Sequence, residues 1–382
     1  MLDLARHIRP GDGIVAGQAC AEPQALMQAL VEQRAAFAGA QLFLGVGYSG
    51  IVRPEHADHL RLSSYCGAGR NRALADAGVL DIHPHPYSRL AALMRARKIA
   101  CDVVLMQVSP PNARGDYSMG LAVDYLLPAI ETARVLIAEV NDRVPWTNTE
   151  RLFRKEDFTA LVESSREPAL PPPARGGGIE AAIARNAAPF IGDGATLEFG
   201  LGILPDAVCG ALADRKGLKI HSGTIGDGVV DLMRGGAVDL AICGQLIGTR
   251  KLFDFARENA AIRMRSTEYT HDPRVLGSLD RFVAINSAVE ADLTGQVNAE
   301  VANGSYLGAV GGALDFVRAA GASPGGVPLL VLPAARIVRA LSGPVATPRS
   351  GAGVVVTEKG AADLRGCTLT ERARRMQAIS DL

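Results

Sequence analysis

Strand-like apolar runs alternate with helix-period stretches along the chain. Val103 to Val108 reads as a strand, Leu121 to Ala133 as a helix, and Val135 to Val140 as a strand again. Continuous apolar runs of strand length suit strands covered on both faces, so the alternation predicts an α/β protein with mainly parallel sheets flanked by helices. The same rhythm is densest at Gly192–Leu232. There Thr196–Phe199 reads as a buried strand, Gly200-Leu201-Gly202 as a turn, Pro205 and Asp206 as first-turn helix residues, and Lys219–Ser222 as the next strand.

A glycine turn that opens a helix gathers backbone N–H groups at a strand tip. Such a turn suits phosphate, a carboxylate or the oxyanion of a reacting carbonyl. Dinucleotide binding is the rival reading. It requires a third glycine where Pro205 stands and an acidic residue at the end of the second strand, where His221, Ser222 and Gly223 are found instead.

The pattern breaks once, at SSREPALPPPARGGG, which is rich in proline and glycine. This predicts an N-terminal domain over 1–165, a linker over 166–178 and a C-terminal domain over 179–382, each long enough for its own core. The 382 residues are 48% hydrophobic and 21% charged, an ordinary globular balance, and the formal net charge is zero. No field is present to draw the chain to nucleic acid or an anionic membrane. The N-terminus lacks the apolar core of a secretory signal, and no apolar run approaches the roughly 20 residues of a membrane span, so a cytoplasmic protein is expected.

The six cysteines lack paired spacing, which fits reduced thiols rather than a disulfide frame. His56 with His59, and His83 with His85, lack acidic or cysteine partners at a supporting spacing, so no metal site is expected.

Several words, in order over nearly the whole chain, carry a likeness to a known family: RPGDGIVAG, DVVLMQVSPPNARGDYSMG, GLGILPDAV, DGVVDL, YTHDPRVL, AINSAVEADLTGQV, GGALDFVR and TEKGAADLRGCTLTERAR. In these the chain resembles the acetyl-CoA hydrolase and 4-hydroxybutyrate CoA-transferase family. The resemblance implies two tandem CoA-transferase-type (NagB/RpiA-like) α/β domains. It also implies acyl-CoA thioester substrates, coenzyme A as a substrate rather than a permanently bound cofactor, and a homodimer. In that family a glutamate just after the second strand attacks the acyl-CoA carbonyl and carries coenzyme A as a glutamyl thioester. Here that position is Gly223, which has no side chain to do so.

Candidates for the remaining chemistry follow. Gly200, Leu201 and Gly202 are expected as oxyanion donors. Glu198, directly before the glycine turn where the family commonly has glutamine, is a candidate base for water or a relocated nucleophile, and equally a structural ion-pair partner if it faces the other way. Glu290 is a second carboxylate: if Phe282–Leu293 is one strand, Asn286 and Glu290 share its small, polar face. Both suit a supporting role there.

His221 matches the family's histidine at the tip of the second strand, as a polar contact near the site or a satisfied core residue. Gly308, Gly311 and Gly312 match a segment that the resemblance places beside the thioester, where small residues let a pantetheine arm pass. Lys359 replaces the usual tyrosine and the Pro333–Arg336 segment is short, which points to a different acyl pocket. Three readings stay open: an acyl-CoA hydrolase, acting on the thioester or on an activated C–C bond of a β-oxoacyl-CoA; a CoA-transferase using Glu198 or Glu290; and a catalytically silent acyl-CoA-binding protein.

Overall fold

A computed structural model describes residues 2–173 and 177–382. Of the linker expected at 166–178, residues 174–176 lie outside the described residues. The chain forms two compact units. The first comprises Met1–Pro172 together with Gly244–Tyr269, and the second Pro173–Cys243 with Thr270–Leu382. Dividing the sequence at the linker puts Gly244–Tyr269 with the second half; in the structure it packs with the first.

The first unit is built on seven strands: β1 (Gly13–Ala16), β2 (Gln41–Leu44), β3 (Arg61–Ser64), β4 (Leu80–Ile82), β5 (Val103–Val108), β6 (Val135–Asn141) and β7 (Ala160–Ser164). Their order is β7-β6-β5-β1-β2-β3-β4, and every pairing is parallel. β5 is buried at all six positions, which explains its unbroken apolar run. The expected helix at Leu121–Ala133 is shorter, Leu126–Thr132. The residues before it form a buried loop in which Asp124 adopts a left-handed φ of 21° and Val123 donates its N–H to Gly244 O.

In the second unit the central strands are β8 (Thr196–Phe199), β9 (Leu218–Ile225), β10 (Val238–Leu246, which belongs to this unit as far as Cys243), β11 (Phe282–Ser287), β12 (Val327–Val331), β13 (Val354–Thr357) and β14 (Gly360–Asp363), ordered β14-β13-β12-β11-β8-β9-β10. β8 pairs in parallel with both β9 and β11, so the chain winds outward from β8 in one direction and returns from β11 in the other. Crossing connections then leave a crevice at the carboxyl ends of these two strands, where open α/β sheets bind ligands. One face of this sheet is covered by helix α1 (Ala313–Ala322). Phe282, Ala284, Phe316 and Ala320 form a small buried core there, each phenylalanine contributing roughly 1.5–3 kcal/mol by leaving water.

The stretch expected as one strand over Phe282–Leu293 is two. β11 stops at Ser287, and Glu290–Asp292 belongs to a separate three-stranded sheet with Val297–Asn298 and Ile337–Val338. Alternation therefore does not carry across the break, and Asn286 and Glu290 are not neighbours on one strand face. No helix among the described residues is long and apolar enough to cross a membrane.

Candidate active site

The crevice of the second unit begins with strand register. Glu198 lies opposite Ala284 on β11, so its side chain points to the face covered by α1. Asn286, two residues past Ala284, points the same way and donates from Nδ2 to Glu198 Oε2 at 2.8 Å. Continuing the β8–β9 register places His221 beside Glu198, and Ser222 Oγ lies between the backbone N and O of Phe199. The strand face carries Glu198 inward, and its partner is an amide rather than an ion.

Glu198 is 2% exposed. Burial pushes its carboxyl up to about 8, although hydrogen bonds from Asn286 and the backbone of Ile285 pull the other way. Such a group is mostly protonated at neutral pH and becomes an effective base near pH 8.

The glycine turn follows at once. Gly200 donates its N–H to Ile285 O at 2.8 Å. Of the three expected oxyanion donors, Gly200 is thus committed to the sheet ladder, and Leu201 and Gly202 are left as candidates. Gly202 has φ 128°, a conformation for which glycine is needed, and precedes the helix Ile203–Gly210.

Across the crevice, β9 carries His221 and Gly223 on one face, two residues apart. His221 is buried, and its Nε2 donates to Thr270 O at 3.0 Å, a structural tether. Burial lowers its pKa, partly offset by that hydrogen bond.

Gly223 faces another histidine that was not singled out from the sequence. A Cβ built at 223 would stand 3.3 Å from Cε1 and 3.5 Å from Nε2 of His271. His271 also bears on the second glycine loop: a Cβ at Gly312 would fall 2.5 Å from its Nε2. Its ring centroid is 4.5 Å from that of Phe316, and its Nδ1 lies 2.9 Å from Thr270 Oγ1. Burial, with His221 nearby adding to it, drives the pKa of His271 down to about 3, so the ring is neutral at physiological pH.

The remaining candidates divide. Glu290 accepts from Asn298 Nδ2, Ser342 N and Ser342 Oγ. Burial works to raise its carboxyl, but these hydrogen bonds outweigh it and hold the group below its usual range. Gly308 packs on the backbone, where a Cβ would lie 1.9 Å from Ala299 O, and Gly311 has φ 57°. Beyond Asn286 a narrow cleft runs under α1 past Ser287, Ala299, Ala313, Val317 and Pro328. Its walls are mainly apolar, as those of small-molecule sites are. Lys359 is tied down by Ser380 O and the Asp381 carboxylate.

The six cysteines are thiols outside any disulfide, five of them buried. No group of three or more His, Cys, Asp or Glu residues among those described could hold a metal ion, and His56 instead accepts from the backbone of Arg53.

Comparison with known proteins places this geometry. Residues 2–152 match the acetyl-CoA hydrolase/transferase N-terminal domain and residues 248–381 the C-terminal domain. The chain is 34% identical over 387 residues to the 4-hydroxybutyrate coenzyme A transferase of Clostridium kluyveri, covering 96% of this chain and 90% of that one. It is 29% identical over 244 residues to an acetyl-CoA hydrolase of Saccharomyces cerevisiae, across 58% of this chain and 46% of the yeast protein. The crystal structure of RipA from Yersinia pestis superimposes with a TM-score of 0.94 at 30% identity, covering 99% of this chain and 92% of RipA. With both family domains matched and the likeness to the Clostridium enzyme running nearly end to end, the chain belongs to the acetyl-CoA hydrolase/transferase family.

Proposed function

We propose that the protein hydrolyses an acyl-CoA, with coenzyme A leaving as the free thiol. One observation carries the reading: the place where the family resemblance implies a glutamyl nucleophile, near the end of β9, is held by Gly223, while the crevice beside it keeps a buried carboxyl, a glycine turn at a helix start and an adjoining apolar cleft. Without the carboxylate at 223, no covalent carrier forms there. Water must then attack directly, and water needs a base.

Glu198 fits that need. Its pKa of about 8 leaves roughly a tenth of it ionised at pH 7, and that fraction is a stronger base than an ordinary carboxylate. The N–H groups of Leu201 and Gly202 serve the oxyanion, one such donor contributing on the order of 3 kcal/mol in the transition state. The cleft past Asn286 takes the pantetheine arm, bordered by Ala299 and Ala313.

A second reading has its own support, since relatives such as the Clostridium enzyme are named transferases. In it, Glu198 is itself the nucleophile. Incubation with an acyl-CoA panel separates the readings. Free thiol without added carboxylate supports hydrolysis, release only with an acceptor supports transfer, and binding without turnover supports an acyl-CoA-binding protein.

A further inference from the structure

Resting on the acyl-CoA reading above, we propose that His271 decides the course of the reaction: its imidazole holds the space of a glutamyl side chain at 223, so no carboxylate is carried there and the acyl group passes directly to water.

The space argument is geometric. Gly223 lies on the face of β9 that looks at His271, and a Cβ there already meets the ring at 3.3 and 3.5 Å, with Phe316 Cε2 at 3.8 Å. The first atom of any side chain at 223 is thus already in contact with the imidazole. Gly312 closes in on Nε2 from the other glycine loop, at 2.5 Å from a Cβ. Two glycines from separate loops thus make room for one ring.

Chemistry fixes what that ring does. The Thr270 hydroxyl, itself buried, lies 2.9 Å from Nδ1, and the opposite nitrogen, Nε2, faces both glycines. A ring kept neutral by burial and packed against both glycines fills the site without taking a proton from water. The step balances without a co-reactant. The water oxygen bonds to the thioester carbon as the C–S bond breaks, one water proton ends on sulfur, and the other leaves as the acid ionises. His271 gives no proton away.

The test uses the full chain in three forms, wild type, Gly223→Glu and Gly223→Glu/His271→Ala, each checked for folding by thermal melting. Each is incubated with acetyl-, butyryl- and succinyl-CoA, with and without acetate. Thiol release is followed, and glutamyl–CoA adducts are sought by mass spectrometry after borohydride trapping.

The expected result is an adduct and acetate-dependent transfer in the double variant alone. An adduct in Gly223→Glu as readily as in the double variant, or no adduct in either, overturns the proposal and leaves the hydrolase reading standing. An adduct on the wild-type chain instead removes the hydrolase reading.

Discussion

Asn286 donates its side-chain amide to Glu198 across 2.8 Å at the carboxyl ends of two adjacent parallel strands, and no basic side chain is among the causes that set the Glu198 pKa. A carboxyl held this way titrates late. In the folded chain it keeps its proton up to about 8, whereas the unfolded chain releases it near 4.5. Its favourable contribution is therefore complete below about pH 4.5 and is lost as pH rises through 8, by up to about 1.4 kcal/mol per unit. Glu198→Gln should flatten this slope and raise the urea midpoint at pH 8 relative to wild type. If Glu198 is the base, wild-type kcat climbs toward pH 8 and the variant loses about 100-fold or more. A pH–rate profile reads both, and undiminished turnover in the variant removes Glu198 from the chemistry.

The close approach of Gly312 to His271 predicts coupling. Gly312→Ala drives a methyl against Nε2 and should cost about 1–3 kcal/mol. Combined with His271→Ala the two losses should fall short of their sum by about 1 kcal/mol or more, because the clash is gone. Chemical denaturation of the four-member cycle measures it, and simple additivity would contradict the packing.

In the first unit Gln18 has its whole hydrogen-bonding capacity in use. Oε1 accepts from Val46 N and Tyr65 OH, and Nε2 donates to Tyr87 OH and Asp124 Oδ2. Burial raises the Asp124 carboxyl to about 6, the amide of Gln18 opposing it. Gln18→Leu would strand these groups out of reach of water and should cost about 3 kcal/mol or more. Gln18→Glu should be little better, since it turns the donor toward Asp124 into another acceptor. Thermal melts of both variants test the order.

Glu290 carries the opposite pH signature to Glu198. Its folded pKa is depressed, so its contribution is present above about 4.5 and lost as acid takes the pH below the folded value. The stability gap between wild type and Glu290→Gln should shrink from pH 7 to pH 4. Measured at pH 7, the variant should lose about 1–3 kcal/mol while KM for acyl-CoA changes little.

The strands were legible because both-face burial writes itself as an unbroken apolar run. Thr196–Phe199 and Val103–Val108 run from the first to the last residue expected, and Lys219–Ser222 lies within the longer Leu218–Ile225. Phe282–Leu293 misled because alternation continues past Ser287, while the backbone turns into another sheet. His271 was illegible for a different reason. Its word gives no periodic cue, and its meaning depends on two glycines, 48 residues before it and 41 after it, that converge on its ring only in the folded chain. A glycine in place of a reactive side chain was the one available hint, and it pointed to the gap rather than to what fills it.

The return of Gly244–Tyr269 to the first unit makes that unit discontinuous in the chain. Val123 finds its acceptor at Gly244, Ser266 donates its N–H to Glu150, and Arg95 is bridged by Glu268. A ribosome that has delivered everything up to Pro172 has therefore not delivered a finished half-molecule: these partners emerge only after another ~100 residues. Nascent chains must wait, so a stop codon or protease cut at the proline-rich stretch should yield an incomplete N-terminal fragment rather than a self-sufficient one.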